Sequence, residues 1–331
     1  MILKIIQDTF SRMATILFAH RMGQAIEPEC KFYRFLADIF NDCAQFLDLL
    51  TPVLPYFPKL SVMVSASILR SLCGVAANAS KASLSVHFAK QSNLAELNAK
   101  EASQETVISL LGMLTGTLVV RMVDDKHVVW MLMVFLVCVH LLMNYRAVRS
   151  VKMRTLNRQR ATLVFREWLE HGTIMTPLQV SRRESILLKG RGDLASKTGD
   201  YTGFCNFGSY GDIKGWSPRG YHRYIFETPS YFLGIWHRGG NFTMRLAIKE
   251  GDANPLSAWF DAVNHAYHFE SALKDGPESH YENEMPCGYV SEDQKATIFA
   301  ALTGVGWDLE TRALETRSPI RVRVGESKKG M

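Results

Sequence analysis

The chain has 331 residues, a mean hydropathy of −0.02 and a formal net charge of +6. This length allows two domains. The averages conceal an asymmetry, because apolar runs crowd residues 35–143 whereas charged, glycine and aromatic residues dominate after Arg146. Much of the basic excess forms one block beside an apolar segment. That arrangement favours a membrane surface over nucleic acid, and we expect no nucleic-acid partner.

Motifs for metal, cofactor or catalytic chemistry are not recognisable. None of the six cysteines forms a CxxC pair; they are Cys30, Cys43, Cys73, Cys138, Cys205 and Cys287. We therefore expect no disulfide framework and no zinc site. The glycines of residues 190–192 and 208–211 fit no phosphate-binding motif, and His265 and His268 lack the glutamate of HExxH. The sequence predicts no metal, no cofactor and no enzyme activity.

Two helices are predicted at the N-terminus, over residues 2–23 and 31–50. The second helix has an apolar face and a polar stripe at helical spacing. The stripe consists of Asp38, Asn41, Asp42, Gln45 and Asp48. Pro52, Pro55 and Pro58 are expected to end the helix and to impose an extended linker.

Residues 60–79 are apolar and, at 1.5 Å per residue, long enough to cross about 30 Å of hydrocarbon. Arg70 costs about 3 kcal/mol against an apolar gain of about 4 kcal/mol. This helix should therefore pack against others, with Arg70 facing inward or towards water. Residues 81–104 are polar and are predicted to form an interfacial or water-exposed helical connector.

Residues 106–123 and 128–143 form the two strongest apolar runs, and only His140 interrupts the second. The short polar stretch 124–127 separates them. The pattern predicts a transmembrane helical hairpin, with a buried soluble hairpin as the alternative. Gly112 and Gly116 form a GxxxG pair, which is predicted to let a neighbouring helix approach closely.

Seven basic residues and no acidic ones lie in residues 146–166: Arg146, Arg149, Lys152, Arg154, Arg158, Arg160 and Arg166. A solvated helix face is one interpretation. However, a basic excess directly after an apolar span marks the cytosolic-type side of a membrane. We therefore predict a multi-pass membrane protein whose residues 146–331 lie on that side. The predicted domains are an α-helical membrane domain over 1–170, with a basic juxtamembrane helix at 146–166, and a soluble α+β domain over 171–331.

The C-terminal part shows alternating helix and strand patterns. Thr176 and Gln179 resemble a capping box that opens a helix over 177–188, and the glycine-rich stretch 190–220 reads as loop. Further strands are predicted over 221–226, 231–236, 242–249 and 320–324, further helices over 255–273 and 292–303, and a hairpin turn over 238–241.

Polar residues within the helical part form the main candidate site. A ligand-binding or pathway role is the hypothesis for Asp38, Asn41, Asp42, Arg70, Lys81, Glu101, Gln104 and Glu105. Ionisable groups at membrane depth are costly and mark pathways or binding cavities. The alternative is internal ion pairing that only locks the helices together. Because a buried arginine needs an acceptor, Arg70 is predicted to pair with Asp42 or Asp38.

Five stretches of the chain match a known family in order. They are RMATILFA at 12–19, RFLADIFND at 34–42, LRSLCGVA at 69–76, NAKEASQET at 98–106, and NYRAVR at 144–149 with RTLNRQR at 154–160. Together they resemble the root UV-B-sensitive (RUS) family, long defined as a domain of unknown function. The resemblance implies a eukaryotic membrane protein, and family members usually carry a longer N-terminal portion, so a shortened N-terminus is expected here. Plant relatives are linked to root light responses, vitamin B6 homeostasis and auxin transport, and some act as partners of each other.

The leading hypothesis is a multi-pass membrane protein that binds or transports a small polar metabolite, with a link to vitamin B6 homeostasis. The alternative is a non-transporting membrane scaffold that recruits soluble partners through the basic segment and the C-terminal domain. The expected partners are the lipid bilayer, a small polar ligand, and another RUS-family protein or a soluble protein.

Overall fold

The computed structural model describes residues 2–90, 93–187, 192–216, 219, 221–251, 254–274, 290–311 and 313–323. The chain divides into two compact units, Met1–Val151 and Lys152–Met331. The first is called the helical unit, because helices make up almost all of it. The second combines a sheet with helices and is called the sheet unit.

Among its described residues the helical unit contains five long helices. They are α1 (Ile2–Ile26), α2 (Cys30–Leu50), α3 (Tyr56–Phe88), α4 (Leu94–Met122) and α5 (Lys126–Ser150). Helix α3 packs along both α1 and α2, and α5 packs against α2. A small apolar core formed by Ile26, Tyr33, Ala37 and Ala76 holds α1, α2 and α3 together.

The connections between these helices are shorter than the sequence suggests. A single 3₁₀ turn, Thr51–Val53, follows α2. Pro58 lies inside the first turn of α3, where the missing N–H costs nothing, so the extended linker predicted across all three prolines is wrong in its extent. The predicted helical connector at 81–104 consists mainly of the end of α3 and the start of α4.

Three helices of the helical unit, α3, α4 and α5, are long and apolar enough to cross a membrane by length and composition. Helix α4 has no buried residue. Its large exposed apolar side chains are Val107, Ile108, Leu110, Leu111, Met113, Leu114, Leu118, Val120 and Met122. Within the described residues, α4 does not pack along α5, so the predicted hairpin is open between its arms.

The part of the sheet unit that the structure describes contains six strands: β1 (Asp193–Ala195), β2 (Thr202–Phe207), β3 (His222–Glu227), β4 (Tyr231–Arg238), β5 (Asn241–Lys249) and β6 (Arg321–Val322). Their order is β1-β2-β5-β4-β3, and β6 also pairs with β5. Strands β2 and β6 run parallel to β5, and the other pairs are antiparallel. The predicted tight turn joins β4 to β5, with Gly239 at φ +58°.

Helices cover both faces of this sheet. They are α6 (Arg158–His171), α7 (Pro177–Arg183), α8 (Tyr210–Gly215), α9 (Pro255–Lys274) and α10 (Glu292–Gly304). On one face Leu233 and Met244 join the core with α6 and α9. On the other face Trp236 packs with Ile213 of α8. The alternation predicted for β5 is confirmed, since its side chains Phe242 and Met244 are buried.

Two predictions for this unit need correction. The stretch 190–220 is not all loop, because it holds β1, β2 and α8. Glycine is required there for close approach rather than for flexibility: a Cβ on Gly192 would lie 2.6 Å from the carbonyl oxygen of Cys205. Helix α7 ends at Arg183, five residues before the predicted end.

The division between the units also falls earlier than the predicted boundary after residue 170. Helix α6 packs against α9 and belongs to the sheet unit. Its Phe165 ring contacts the Phe260 ring edge-on at 5.0 Å. The basic residues predicted a juxtamembrane helix here, but the apolar face of α6, with Ala161 and Val164, is buried in the core of the sheet unit.

Candidate functional site

Helix α2 carries a row of ionisable side chains into the helical unit. Arg34, Asp38 and Asp42 lie on successive turns of one face, because residues four apart are neighbours on a helix. The Arg34 Nη1 atom donates to Asp38 Oδ1 at 2.9 Å. The His140 Nδ1 atom of α5 lies 2.8 Å from Asp42 Oδ2. These four residues are called the α2 site.

The α2 site is closed at its carboxylates and open at its histidine. The Asp42 side chain is 4% exposed, whereas that of His140 is 44% exposed. Packing of α5 against α2 brings the imidazole to this position. His140 therefore covers a buried carboxylate from the accessible side.

Charge is not balanced within the α2 site. Two buried carboxylates, Asp38 and Asp42, meet one guanidinium, so the set has an excess negative charge unless His140 is protonated. The Asp38 Oδ2 atom is buried and has no hydrogen-bond partner. A buried acceptor without a partner costs free energy. The arrangement can therefore accept a hydrogen bond from a donor that enters the site.

The predicted partner of Arg70 is wrong. Arg70 pairs with Asp48 and not with Asp42 or Asp38. Helices α2 and α3 pack as consecutive antiparallel neighbours, so Arg70 lies beside the C-terminal part of α2. The Asp42 carboxylate instead contacts His140 of α5. Both side chains of the Arg70–Asp48 pair remain nearly half exposed.

The other predicted polar residues form a separate group. Lys81 Nζ of α3 donates to Glu105 Oε1 of α4 at 2.7 Å and lies 3.4 Å from Glu101 Oε1. Gln104 is exposed beside them, and Asn41 is half-buried on α2. The predicted residues thus fall into separate places. Asp38 and Asp42 belong to the α2 site, Arg70 pairs with Asp48, and Lys81 of α3 pairs with Glu101 and Glu105 of α4. Their role in binding or transport stays a prediction.

The GxxxG pair on α4 has open space around it. A Cβ on Gly112 or Gly116 would meet nothing within 4 Å among the described residues. The helix contact predicted for this pair is not made within the described part of the chain, and a contact with another molecule stays a prediction.

The basic block is not one juxtamembrane helix. Helix α5 ends at Ser150 and α6 begins at Arg158. Arg158 is buried: it donates to the Leu314 carbonyl at 2.8 Å, to Asn206 and to Thr316, and it lies over the Trp259 ring. A membrane-facing role for Arg158 is therefore wrong.

Arg160 is buried as well. Its Nε lies 3.3 Å from Glu184 Oε1, and its Nη1 donates to the Thr155 carbonyl at 2.6 Å. The four basic residues before α6 are exposed: Arg146, Arg149, Lys152 and Arg154. These four keep the surface position that a juxtamembrane role requires, and Arg166 on α6 is half-buried and donates to Glu170.

The sheet unit contains a second buried polar cluster. Asp261 Oδ2 accepts hydrogen bonds from the Tyr231 hydroxyl at 2.7 Å and from Lys295 Nζ at 2.6 Å. Burial raises the pKa of Asp261, and burial likewise raises the pKa of Tyr231. Because these residues belong to α9, β4 and α10, the cluster ties three elements together. We assign it a structural role.

His265 and His268 lie one turn apart on α9. The His265 ring is stacked on Phe226 at 5.4 Å, and burial lowers the pKa of His265 to about 3. No group of three metal-ligating side chains occurs in the part of the chain that the structure describes. His280 and Cys287, which follow in sequence, lie outside the described residues.

Sequence reasoning missed Arg34 and His140 as site residues. The signal for His140 was present, since it is the one polar residue in the apolar run 128–143. The signal for Arg34 was its i, i+4 spacing to Asp38. What the sequence could not give was the packing of α5 against α2, which selects Asp42 as the partner of His140.

These features define a protein whose helical unit contains three long apolar helices and a helix with buried ionisable side chains, followed by a C-terminal unit with a mixed sheet. A family model described as "Vitamin B6 photo-protection and homoeostasis domain" matches residues 1–172. The chain belongs to this family, the root UVB sensitive (RUS) family.

Two relatives illustrate the match. The chain is 36% identical over 187 residues to "RUS family member 1" of Dictyostelium discoideum, covering 55% of this chain and 36% of the relative. It is 34% identical over 183 residues to "Protein root UVB sensitive 3" of Arabidopsis thaliana, covering 55% of this chain and 41% of the relative. The chain thus spans well under half the length of these relatives. No solved structure matches it significantly.

The family match and the structural units end at different places. The family model extends to residue 172, just past α6, whereas the helical unit ends at Val151. The last helix of the family segment therefore folds as part of the sheet unit.

Proposed function

We propose that this RUS-family chain is a multi-pass membrane protein whose helical unit binds or transports a small polar metabolite at the α2 site, in support of vitamin B6 homeostasis. The observation that carries the proposal is the coexistence, in one unit, of an apolar helix without buried residues, α4, and a helix with buried charges, α2.

The apolar exposure supports insertion into a bilayer. Helix α4 has 29 residues and is about 44 Å long at 1.5 Å per residue, more than a bilayer core requires. Soluble monomers rarely expose contiguous apolar patches above a few hundred Å², and such patches mark contact with a partner or a membrane. Lipid is the surrounding that fits a helix whose apolar side chains are exposed on every side.

The position of His140 supports a site at membrane depth. It lies 14 residues after the start of α5 and 10 residues before its end. These separations correspond to about 21 Å and about 15 Å along the helix axis. If α5 spans the bilayer, the α2 site lies within the hydrocarbon region, where ionisable residues are retained for function.

The exposed basic residues support the orientation. Arg146, Arg149, Lys152 and Arg154 follow the apolar part of α5, and such an excess marks the cytosolic-type side. We propose that the sheet unit lies on that side. Protease added to sealed vesicles of known orientation should reach the sheet unit from that side only; cleavage in residues 124–127 instead would invert the topology.

The alternative is a membrane scaffold that recruits soluble partners through the basic segment and the sheet unit. Burial of Arg158 and Arg160 removes two charges from the surface that this alternative needs. The exposed remainder still permits it. Co-purification of a soluble partner in stoichiometric amount, with no response to metabolites, would favour the scaffold.

Carbonate extraction tests the membrane part of the proposal. Membranes containing the full chain are washed at high pH, and the protein is expected to stay in the pellet; release into the supernatant would contradict insertion.

Thermal unfolding of the purified chain with a panel of small polar metabolites, B6 vitamers among them, tests binding. Stabilisation by one metabolite, lost in Asp42→Asn and kept in Asp48→Asn, is the expected result.

A further inference from the structure

We infer that the α2 site recognises a protonated amine, and that the ammonium group binds at the Asp38 Oδ2 atom. This inference rests on the proposed function and names the chemical class of the ligand. Two observations support it, the charge of the site and a buried acceptor without a partner. A comparison of an ammonium group with a metal ion then selects the ligand.

The charge of the site calls for a cation. Asp38 and Asp42 are both buried, and Arg34 supplies one positive charge, through Asp38 Oδ1 only. His140 contacts Asp42 with one ring nitrogen, and a neutral imidazole leaves one negative charge uncompensated. An uncompensated buried charge is costly, so a ligand with a single positive charge complements the site.

The Asp38 carboxylate shows where that cation would bind. Its side chain is 10% exposed, its Oδ1 is occupied by Arg34, and its Oδ2 is buried without a hydrogen-bond partner. Asp42 and His140 are close enough to Asp38 to act on it electrostatically, and Cys73 of α3 lies near the same carboxylates. The unsatisfied oxygen therefore belongs to the enclosed side of the site rather than to its surface.

The donor set favours an ammonium group over a metal ion. A metal cation needs several oxygen ligands, and the described residues contain no cluster of three metal-ligating side chains. An ammonium group instead presents three N–H donors that can each be satisfied singly. One donor to Asp38 Oδ2 would form a charge-assisted hydrogen bond, the stronger kind. His140 is half-exposed and marks the side of the α2 site from which a ligand would have to approach.

Methylammonium is the probe for the experiment, used with the purified full chain. The midpoint of thermal unfolding is followed against probe concentration at constant ionic strength. Methylammonium is expected to raise the midpoint in a saturable manner. Tetramethylammonium, which has the charge but no N–H donor, should not do so, and neither should Na⁺ or K⁺. An equal response to all four cations would overturn the inference, and so would saturation with Na⁺ or K⁺ alone.

Two substitutions should act in opposite directions. Asp38→Asn removes the acceptor charge and should weaken methylammonium binding about tenfold or more, which corresponds to about 1.4 kcal/mol. Arg34→Gln removes the competing cation and should strengthen binding. Asp48→Asn, on the same helix but paired with Arg70, is the matched control and should leave the apparent Kd unchanged. Equal constants in wild type, Asp38→Asn and Arg34→Gln would overturn the inference.

The inference and the proposed function fail separately. If the protein resists carbonate and binds a metabolite but does not respond to methylammonium, only the amine inference is contradicted. A protein that carbonate releases would sink the membrane proposal, while the binding assay in solution would still report on Asp38. If Asp38→Asn does not fold, the gain expected in Arg34→Gln remains a decisive measurement.

Discussion

The two units of this chain differ in what they expose and in how their buried acids are partnered. The sheet unit buries large apolar groups such as Trp236 and Trp259, and Asp261, its buried acid at the centre of the polar cluster, has both a tyrosine and a lysine partner. The helical unit exposes its apolar groups on α4 and buries Asp38 and Asp42. A fold in water minimises exposed apolar area, whereas a fold in lipid does not. The contrast is the one that the proposed insertion of the helical unit into a bilayer predicts.

The strongest way to break this comparison is to place charges on α4. The double variant Leu114→Lys with Leu118→Lys should fail to insert, because each central lysine costs about 2.5–3.5 kcal/mol in a membrane helix. Carbonate extraction and protein yield measure the effect. In water the same exposed positions would tolerate lysine.

The matched control lies in the sheet unit. Leu178 of α7 is also exposed. Leu178→Lys should change stability by no more than about 0.5 kcal/mol. If the α4 double variant and Leu178→Lys give the same protein yield and the same carbonate resistance, α4 is not in lipid.

The second prediction sharpens the division of the basic block. Arg158→Met removes hydrogen bonds to Leu314, Asn206 and Thr316 and should destabilise the sheet unit by about 3 kcal/mol, because buried acceptors lose a charged donor. Arg154→Met, at an exposed position, should cost about 0.5 kcal/mol or less. Urea unfolding followed by tryptophan emission reports the sheet unit, since all tryptophans except Trp130 lie there. Equal effects of the two substitutions would argue that Arg158 is a surface residue.

The third prediction concerns the acid sensitivity of the sheet unit. His265 has a folded-state pKa of about 3, lowered by burial from an ordinary value of 6.5. Since the neutral imidazole is favoured in the fold, its contribution to stability is complete above pH 6.5. It declines by about 1.4 kcal/mol per pH unit as the pH falls from 6.5 towards 3.

His265→Phe keeps an aromatic ring against Phe226 and cannot be protonated. The variant should therefore lose less stability than the wild type between pH 6.5 and pH 5, by about 2 kcal/mol. Urea unfolding at several pH values measures the difference. A difference that does not vary with pH would mean that folding does not lower the pKa of His265.

The smallest expected effect tests the ion pairs of the helical unit. A double-mutant cycle with Asp48→Asn and Arg70→Gln should show a coupling energy of about 0.5–1 kcal/mol, because both side chains are partly exposed. The cycle with Asp42→Asn and Arg70→Gln should be additive, since Asp42 pairs with His140. Coupling in the second cycle and not in the first would restore the pairing predicted from sequence.

Sequence periodicity determined much of the local structure of this chain. The capping box at Thr176 is present, the β4–β5 hairpin turns at the predicted glycines, and β5 alternates as expected. The apolar runs located α3, α4 and α5, and the ordered motifs located the family. These features depend on residues close in the chain, and short-range patterns report them.

Partner choice over long distances was decided only by the tertiary structure. His140 is 98 residues from Asp42, and Arg158 is 156 residues from Leu314. A run of arginines looks the same in sequence whether each faces water or a carbonyl, because a guanidinium on a long apolar stem suits both environments. Likewise, the polar stripe of α2 predicted a set of ionisable residues, but helix packing chose which of them are buried together. The packing of α5 against α2 places His140 beside Asp42 and so forms the α2 site. The packing of α6 against α9 makes Arg158 a core residue rather than a juxtamembrane charge.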